Sequence, residues 1–364
     1  MTGRLHQYFA GDHTAKGFRA LYQSNFQGLD RVFVLNGSSN AVKGALIKKL
    51  ANKWRNKGFD VELVHCSTDQ DSMDALVIPQ LKVGVYGAEE DFRAAGSSID
   101  YIYTDRALDT SLVESYQRDR KVYQEELAAL YEAAHESFAT GLHIHDGLEE
   151  IYINKMDFKK ADQVAEELID TLYGDMDQLE KSATVKHRFF GASTPAGVVD
   201  YIPNLTDDLK KRYFIKGRAG TGKSTLLKKI AAAGEALGLD VEIYHCGFDP
   251  DSLDMVVVRE LGFCIFDSTD PHEYFPDKDS DEVVDLYERT VEPDTDERYD
   301  TAIKILNRSY KYHMKKGVGY LHEAKMMMDE FEGQYSDAID FAKLGIVYET
   351  IDDAILHHAA AAEQ

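Results

Sequence analysis

The chain has 364 residues, 44% of them hydrophobic, and a formal net charge of −23. That length suits two domains of ordinary size, the acidic balance disfavours non-specific attraction to nucleic-acid backbones, and no apolar run approaches the roughly 20 residues that span a bilayer. Three cysteines (Cys66, Cys246 and Cys264) offer no disulfide framework, and the first residues hold no signal-like apolar run, so a reducing cytoplasm is the expected setting.

In chain order, Phe9-Ala10-Gly11, followed by Thr14 to Gly17, reads as a strand-like stretch and a turn. A loop follows at Gly37-Ser38-Ser39-Asn40-Ala41-Val42-Lys43-Gly44-Ala45. Downstream come Gly58-Phe59-Asp60-Val61-Glu62, His65-Cys66, and the acids Asp69, Asp71 and Asp74. From Asp109 to about Tyr173 the chain lacks Pro, has few Gly and is rich in Glu, Ala, Leu and Tyr. That composition predicts helix, with an αα-hairpin over Leu130 to Leu148 that turns near Gly141.

A second unit begins after a boundary near Lys181 to Val185. Tyr213-Phe214-Ile215 reads as a short buried strand. Gly217-Arg218-Ala219-Gly220-Thr221-Gly222-Lys223-Ser224, with Thr225 next, has the form G-x-x-x-x-G-K-S, the phosphate-binding P-loop. Its glycines let backbone N–H groups converge on phosphate oxygens with no Cβ in the way. Leu226 to Ala231 reads as the helix after it, its N-terminus aimed at the anion, and continues to about Leu237. Leu239 to Cys246 reads as a strand, Gly247 to Asp251 as a turn, and Ser252-Leu253-Asp254 as the cap of a short helix. Leu261 to Asp267 is an apolar run that ends in an acid. Gly317-Val318-Gly319 lies between Tyr310–Lys315 and Leu321–Met326, which predicts a second αα-hairpin with a Gly turn.

Sliding the sequence by 180 positions superposes the two units without a gap: about a third of the residues from Gly37 to Tyr86 recur identically. The upstream Phe9, Gly11, Thr14 and Gly17 recur as Phe189, Gly191, Thr194 and Gly197. The differences matter as much. Val42 stands where Gly222 stands, Gly44 and Ala45 stand where Ser224 and Thr225 stand, and Gly87 stands where Asp267 stands. Lys43 survives at the place of Lys223. The first unit therefore reads as a pseudo-site, with weak anion binding or a purely supporting loop as its two possible residual roles.

In the second unit, Gly217 to Thr225 is the expected nucleotide cradle. Lys223 is expected on the β- and γ-phosphates, and the Ser224 hydroxyl and Asp267 carboxylate on Mg²⁺. In a parallel α/β sheet the carboxyl ends of strands face the ligand, which puts Asp249 and Asp251 near the γ-phosphate as groups to orient water or accept a hydroxyl proton. That acidic turn recurs in the broken unit, so an Asx-type structural turn explains it equally well. A zinc site from the paired His-Cys-Asp sets is a further reading. His272, after the strand-end acid, is a candidate nucleotide sensor, with an ordinary surface loop as the alternative. Arg218 is a candidate phosphate neutraliser, and Arg259 one only if the fold brings it back.

These residues resemble the P-loop NTPase superfamily. More narrowly, the intact loop, His245 to Asp254 and Phe266-Asp267-Ser268-Thr269 with Pro271-His272 resemble an uncharacterised family of bacterial ATP-binding proteins built from two such halves. The resemblance implies nucleotide binding and names no substrate; the chain departs from it at Val42, Gly44, Ala45 and Gly87. The expected architecture is α/β: two tandem P-loop NTPase units with mostly parallel sheets and flanking helices, over residues 1–183 and 184–364, each with a helical-hairpin extension. The expected activity is ATP binding and Mg²⁺-dependent hydrolysis by the C-terminal half. The alternatives are a small-molecule or nucleoside kinase, and a nucleotide-binding scaffold whose hairpins hold a partner protein. Neither a membrane nor nucleic acid is an expected partner.

Overall fold

The structure is a computed structural model that describes residues 2–87, 92, 96–174 and 176–362. The first half runs β1 (Leu5–Phe9), the hairpin β2 (Gly11–Thr14) and β3 (Gly17–Ala20), α1 (Tyr22–Asn25), β4 (Arg31–Asn36), α2 (Asn40–Asn56), β5 (Val61–His65), β6 (Met73–Ile78), β7 (Val83–Tyr86) and β8 (Ser98–Tyr103), then α3 (Thr110–Ile153) and α4 (Phe158–Tyr173). The second runs β9 (Val185–Arg188), the hairpin β10 (Gly191–Thr194) and β11 (Gly197–Asp200), α5 (Ile202–Thr206), β12 (Lys211–Lys216), α6 (Lys223–Ala236), β13 (Val241–His245), β14 (Leu253–Val258), β15 (Phe263–Asp267) and β16 (Glu282–Asp285). It ends in α7 (Leu286–Thr290), α8 (Thr295–Arg298), α9 (Asp300–Ser336) and α10 (Phe341–Ala362).

Each half has a six-stranded sheet of the same topology, β1-β5-β6-β7-β4-β8 in one and β9-β13-β14-β15-β12-β16 in the other. The two halves are thus structurally similar α/β domains. β6 and β14 run antiparallel to both neighbours while the other pairings are parallel. This corrects the expectation of a helix cap at Ser252-Leu253-Asp254: Leu253 opens β14. The turn Ser252 N–H→Asp249 O (2.9 Å) reverses the chain directly into a strand, whose Met-Val-Val-Val run is the buried-strand type.

The halves meet along a pseudo-twofold seam. Phe9 and Phe189 exchange backbone hydrogen bonds of 2.9 and 2.8 Å, and one apolar core holds Tyr8, Phe26 and Tyr86 together with Phe190, Leu205 and Tyr244. At its centre lies the buried Arg188, whose Nη2 is 2.6 Å from Glu62 Oε2 and whose Nη1 is 3.4 Å from Glu242 Oε2. Glu62 and Glu242 are repeat-equivalents, and the equivalent of Arg188 is Tyr8, whose hydroxyl donates to Glu62 at 3.0 Å. Burial alone would raise both carboxyl groups. Arg188, helped at Glu242 by Arg259 (2.8 Å), outweighs it and holds both below the usual range.

The helical extensions differ from the expected hairpins. Gly141 and Gly317 lie inside the continuous helices α3 and α9 and make no turn. Gly317 is small for a packing reason: a Cβ there would come 2.3 Å from the Phe138 ring across the antiparallel α3–α9 pair. The turns fall later, at 154–157 and 337–340, where Asp157 caps α4 through the Lys159 and Lys160 N–H groups and Asp340 accepts from Ala342 and Lys343.

The last helices then exchange partners. Val164, Ala165 and Leu168 of α4 join the core of the second sheet, while Val347, Tyr348, Ile351 and Ile355 of α10 join that of the first. Past residue 107 the repeat offset is 183: Asp157 N–H→Thr290 O matches Asp340 N–H→Ala107 O, and Glu149 and Tyr152 match Glu332 and Tyr335. Among the described residues no helix is long and apolar enough to cross a membrane.

Candidate functional site

The glycine loop joins β12 to α6. Gly220 and Gly222 have φ of +73° and +82°, a region side chains with a Cβ rarely adopt. A Cβ on Gly217 would lie 2.5 Å from Thr221 Oγ1, and one on Gly220 would lie 2.6 Å from the Glu149 carbonyl. The loop curls around the Arg218 carbonyl, which accepts from Thr221 Oγ1 and Lys223 Nζ, both at 2.8 Å. Parallel pairing of β12 with β15 sets Ile215 beside Asp267, so the strand-end acid stands next to the start of the loop. Asp267 Oδ2 is 3.5 Å from Lys223 Nζ, and its Oδ1 accepts from Thr269 Oγ1 at 2.7 Å. Ser224 Oγ accepts from the Leu253 N–H at 2.9 Å.

These groups line a cavity of about 1030 Å³. Its floor is the glycine loop with Gly217 to Thr225, its walls are the 246–254 turn and Asp267 to Glu273, and its roof is α3 and α9. The roof brings residues that sequence reasoning missed: His145 and Glu149 from α3, and Lys304, Arg308 and Lys311 from α9. They lie on helices far from the loop in sequence, so only the fold brings them to it. Burial, then Asp146, raises the Glu149 carboxyl, and burial, then Lys223, lowers the His145 imidazole. Asp254 was visible as a repeated acid but not as a cavity residue; burial and then the neighbouring Asp267 push it up to about 6. The rings of His145, Phe248 and Tyr310 pack together, with centroids 5.3 to 6.0 Å apart.

Asp249 lines the cavity, whereas the Asp251 side chain is 70% exposed. Both are held by Lys16 of the first half, at 2.6 and 2.7 Å. Asp249 also accepts from Ser252 Oγ at 3.0 Å and from the Asp251 N–H at 3.4 Å; the latter, with Asp71 N–H to Asp69 at 3.2 Å, is the Asx-type turn expected for both copies. Arg218 pairs with Asp296 at 2.8 Å and lies over the Tyr287 ring. Arg259 is away from the cavity, bound to Glu242 and Asp208. His272 lines it and bonds Asp200 at 2.9 Å. Among the described residues no group of three or more His, Cys, Asp or Glu side chains is placed to hold a metal ion by itself, which leaves the zinc reading without support. Burial raises the Cys66 and Cys246 thiols, against a thiolate role.

In the first half the same place is packed shut. α2 begins at Asn40, whereas α6 begins at Lys223, the equivalent of Lys43. An extra helical turn therefore replaces the curled loop, and the Val42 side chain is buried in the core. The Ser39 hydroxyl and the Asn40 N–H both donate to the Glu332 carboxylate, at 2.6 and 2.8 Å, so an internal anion already sits on this helix end. A Cβ on Gly44 would lie 2.3 Å from Ser72 Oγ, and one on Gly87 would lie 2.9 Å from Ile47 Cδ1. Neither a serine nor an aspartate fits there without rearrangement.

Compared with protein-family models, with curated proteins and with solved structures, the chain matches none.

Proposed function

We propose that the C-terminal half is a P-loop NTPase unit that binds a nucleoside triphosphate with Mg²⁺ and hydrolyses it, and that the N-terminal half is a nucleotide-free twin. The observation that carries this reading is the asymmetry between equivalent positions. Gly220, Gly222, Lys223, Ser224 and Asp267 surround a cavity, whereas Asn40, Val42, Lys43, Gly44 and Gly87 are packed against side chains. A cradle that a Cβ would fill, with a lysine at its lip, suits phosphate oxygens. The backbone N–H groups of the loop and Lys223 would hold the phosphates, and the Ser224 hydroxyl and Asp267 carboxylate would hold the metal. Mg²⁺ needs only one or two protein oxygens when phosphates and water complete its shell, so no all-protein cage is required.

Calorimetric titration with ATP and MgCl₂, paired with a phosphate-release assay, tests this. One site per chain and Mg²⁺-dependent phosphate release without an added acceptor is the expected result. Transfer only to a small-molecule acceptor would replace hydrolysis by the kinase reading, and binding without release by the scaffold reading. Two equivalent sites, or none, would refute the asymmetric assignment.

A further inference from the structure

We propose that Arg308, on α9, supplies the positive charge that stabilises the transferring γ-phosphoryl group; this rests on the nucleotide reading above. α9 crosses the cavity between two fixed points. Near its start, Ile303 and Leu306 pack against Leu148, Tyr152 and Val291, the same cluster that Ala219 of the glycine loop packs against. Farther on, Lys311 bonds Asp270 at 2.8 Å, three residues past Asp267. Arg308 lies between them, on the cavity-lining face with Lys304 and Lys311, at i+4 and i+7 helical spacing. At ~1.5 Å of rise per residue it stands about 7.5 Å along the axis from Ile303 and about 4.5 Å from Lys311. The cavity it lines is also lined by Lys223 and Asp267, and in the nucleotide reading a terminal phosphate held there would project into it.

Charge accounting singles out the same residue. Lys304 is paired with Asp300 at 2.8 Å, Lys311 with Asp270, and Arg218 with Asp296. Arg308 has no acidic partner among the described residues. Lys228 also lacks one, but it stands on α6, where its charge acts on His245 and Asp251. The twin adds an independent contrast. The 183-residue offset that matches Glu149 to Glu332 places Glu125 of α3 opposite Arg308, so the arm over the closed copy carries an acid at that position. Glu125 is spent on Lys121, 3.7 Å away.

In the step served, water oxygen bonds to the γ-phosphorus and the bond from γ-phosphorus to the bridging oxygen breaks. The electron pair stays on the β-phosphate; one water proton leaves to solvent and the other remains on the released phosphate. Arg308 forms no covalent bond; its guanidinium offsets charge on the equatorial oxygens.

The test compares wild type, Arg308→Ala and Arg308→Lys for ATP affinity, single-turnover phosphate release and trapping of ADP with aluminium fluoride and Mg²⁺. Arg308 is exposed, so both variants are expected to melt like wild type. The inference expects Arg308→Ala to slow release on the order of 10³-fold, to keep ATP affinity within about threefold, and to lose aluminium fluoride trapping. Arg308→Lys, which keeps the charge but not the planar fork, is expected to recover only part of the rate. Release and trapping equal to wild type would overturn Arg308 alone. A parallel loss of ATP affinity would make it a ground-state ligand and overturn the inference too. A wild-type protein that binds no ATP would overturn the nucleotide reading, and the inference with it.

Discussion

Glu332 places a carboxylate oxygen 2.6 Å from the Ser39 hydroxyl, pinning the far end of α9 to the first turn of α2. The contact fills the anion position of the closed copy and at the same time ties an arm of the second half to the first sheet. Glu332→Ala is expected to lower stability by about 0.5–2 kcal/mol, the range for losing a helix cap, while ATP stoichiometry stays at one. Val42, Gly44 and Gly87 still close the copy. A rise to two sites on titration would show that Glu332 alone keeps nucleotide out.

The two lysines should part company. Lys223→Ala removes a charged donor from the open loop, and losing a charge-assisted hydrogen bond of about 1.5–3 kcal/mol weakens ATP binding roughly 10- to 100-fold. Lys43 is buried in the first half, and Lys43→Ala is expected to leave ATP affinity unchanged. Equal losses in titration would dissolve the division of labour.

Asp267→Asn keeps the shape of the side chain and its acceptor for Thr269 but removes the charge. Phosphate release at saturating ATP should fall more than ATP affinity does, and its Mg²⁺ requirement should move to higher concentration. A Mg²⁺ titration with an unchanged midpoint would take Asp267 out of the metal site.

Asp74, the first-half equivalent of Asp254, is buried and accepts from the Tyr22 hydroxyl at 2.6 Å. Burial pushes it from 3.8 up to about 6. The folded state therefore favours the protonated acid. This contribution is complete below pH ~4 and is lost as pH rises through about 6, on the order of 3 kcal/mol in all at ~1.4 kcal/mol per unit. Asp74→Asn should remove it, so the variant gains on wild type in urea melts between pH 5 and pH 8. A stability difference that does not change with pH would contradict the assignment.

Exchange of the terminal helices makes a long-range prediction. Ile351 of α10 is fully buried in the first half's core. Ile351→Ala should cost about 2–5 kcal/mol and speed hydrogen exchange in β5 and β6, nearly 300 residues away in sequence, more than in β13 and β14. The reverse pattern would mean that α10 supports its own half.

Local chemistry was legible in the sequence. The glycine loop, the strand before it, the helix after it, β13 and the acid at Asp267 follow from residue type and short-range pattern. The duplication follows from identities at an offset of 180, and closure of the first copy from Val42, Gly44 and Gly87. Three features were hidden for physical reasons. A Gly-x-Gly string reads as a turn, yet Gly317 is small because Phe138 presses on it across a helix pair. The apolar faces of α4 and α10 announce that they pack, but not against which of two similar sheets. Glu149 and Glu332 reach across the pseudo-twofold, Arg308 lies more than 80 residues past the loop, and the offset changes to 183 in the arms, so no ungapped comparison aligns them.

The seam around Arg188 is built from unlike partners. Two N-terminal halves placed together would confront Glu62 with its own copy and no cation between them; two C-terminal halves would bury two guanidinium groups where one fits. The surface is thus complementary only between unlike halves, and Tyr8 and Arg188, though equivalent in position, cannot trade places.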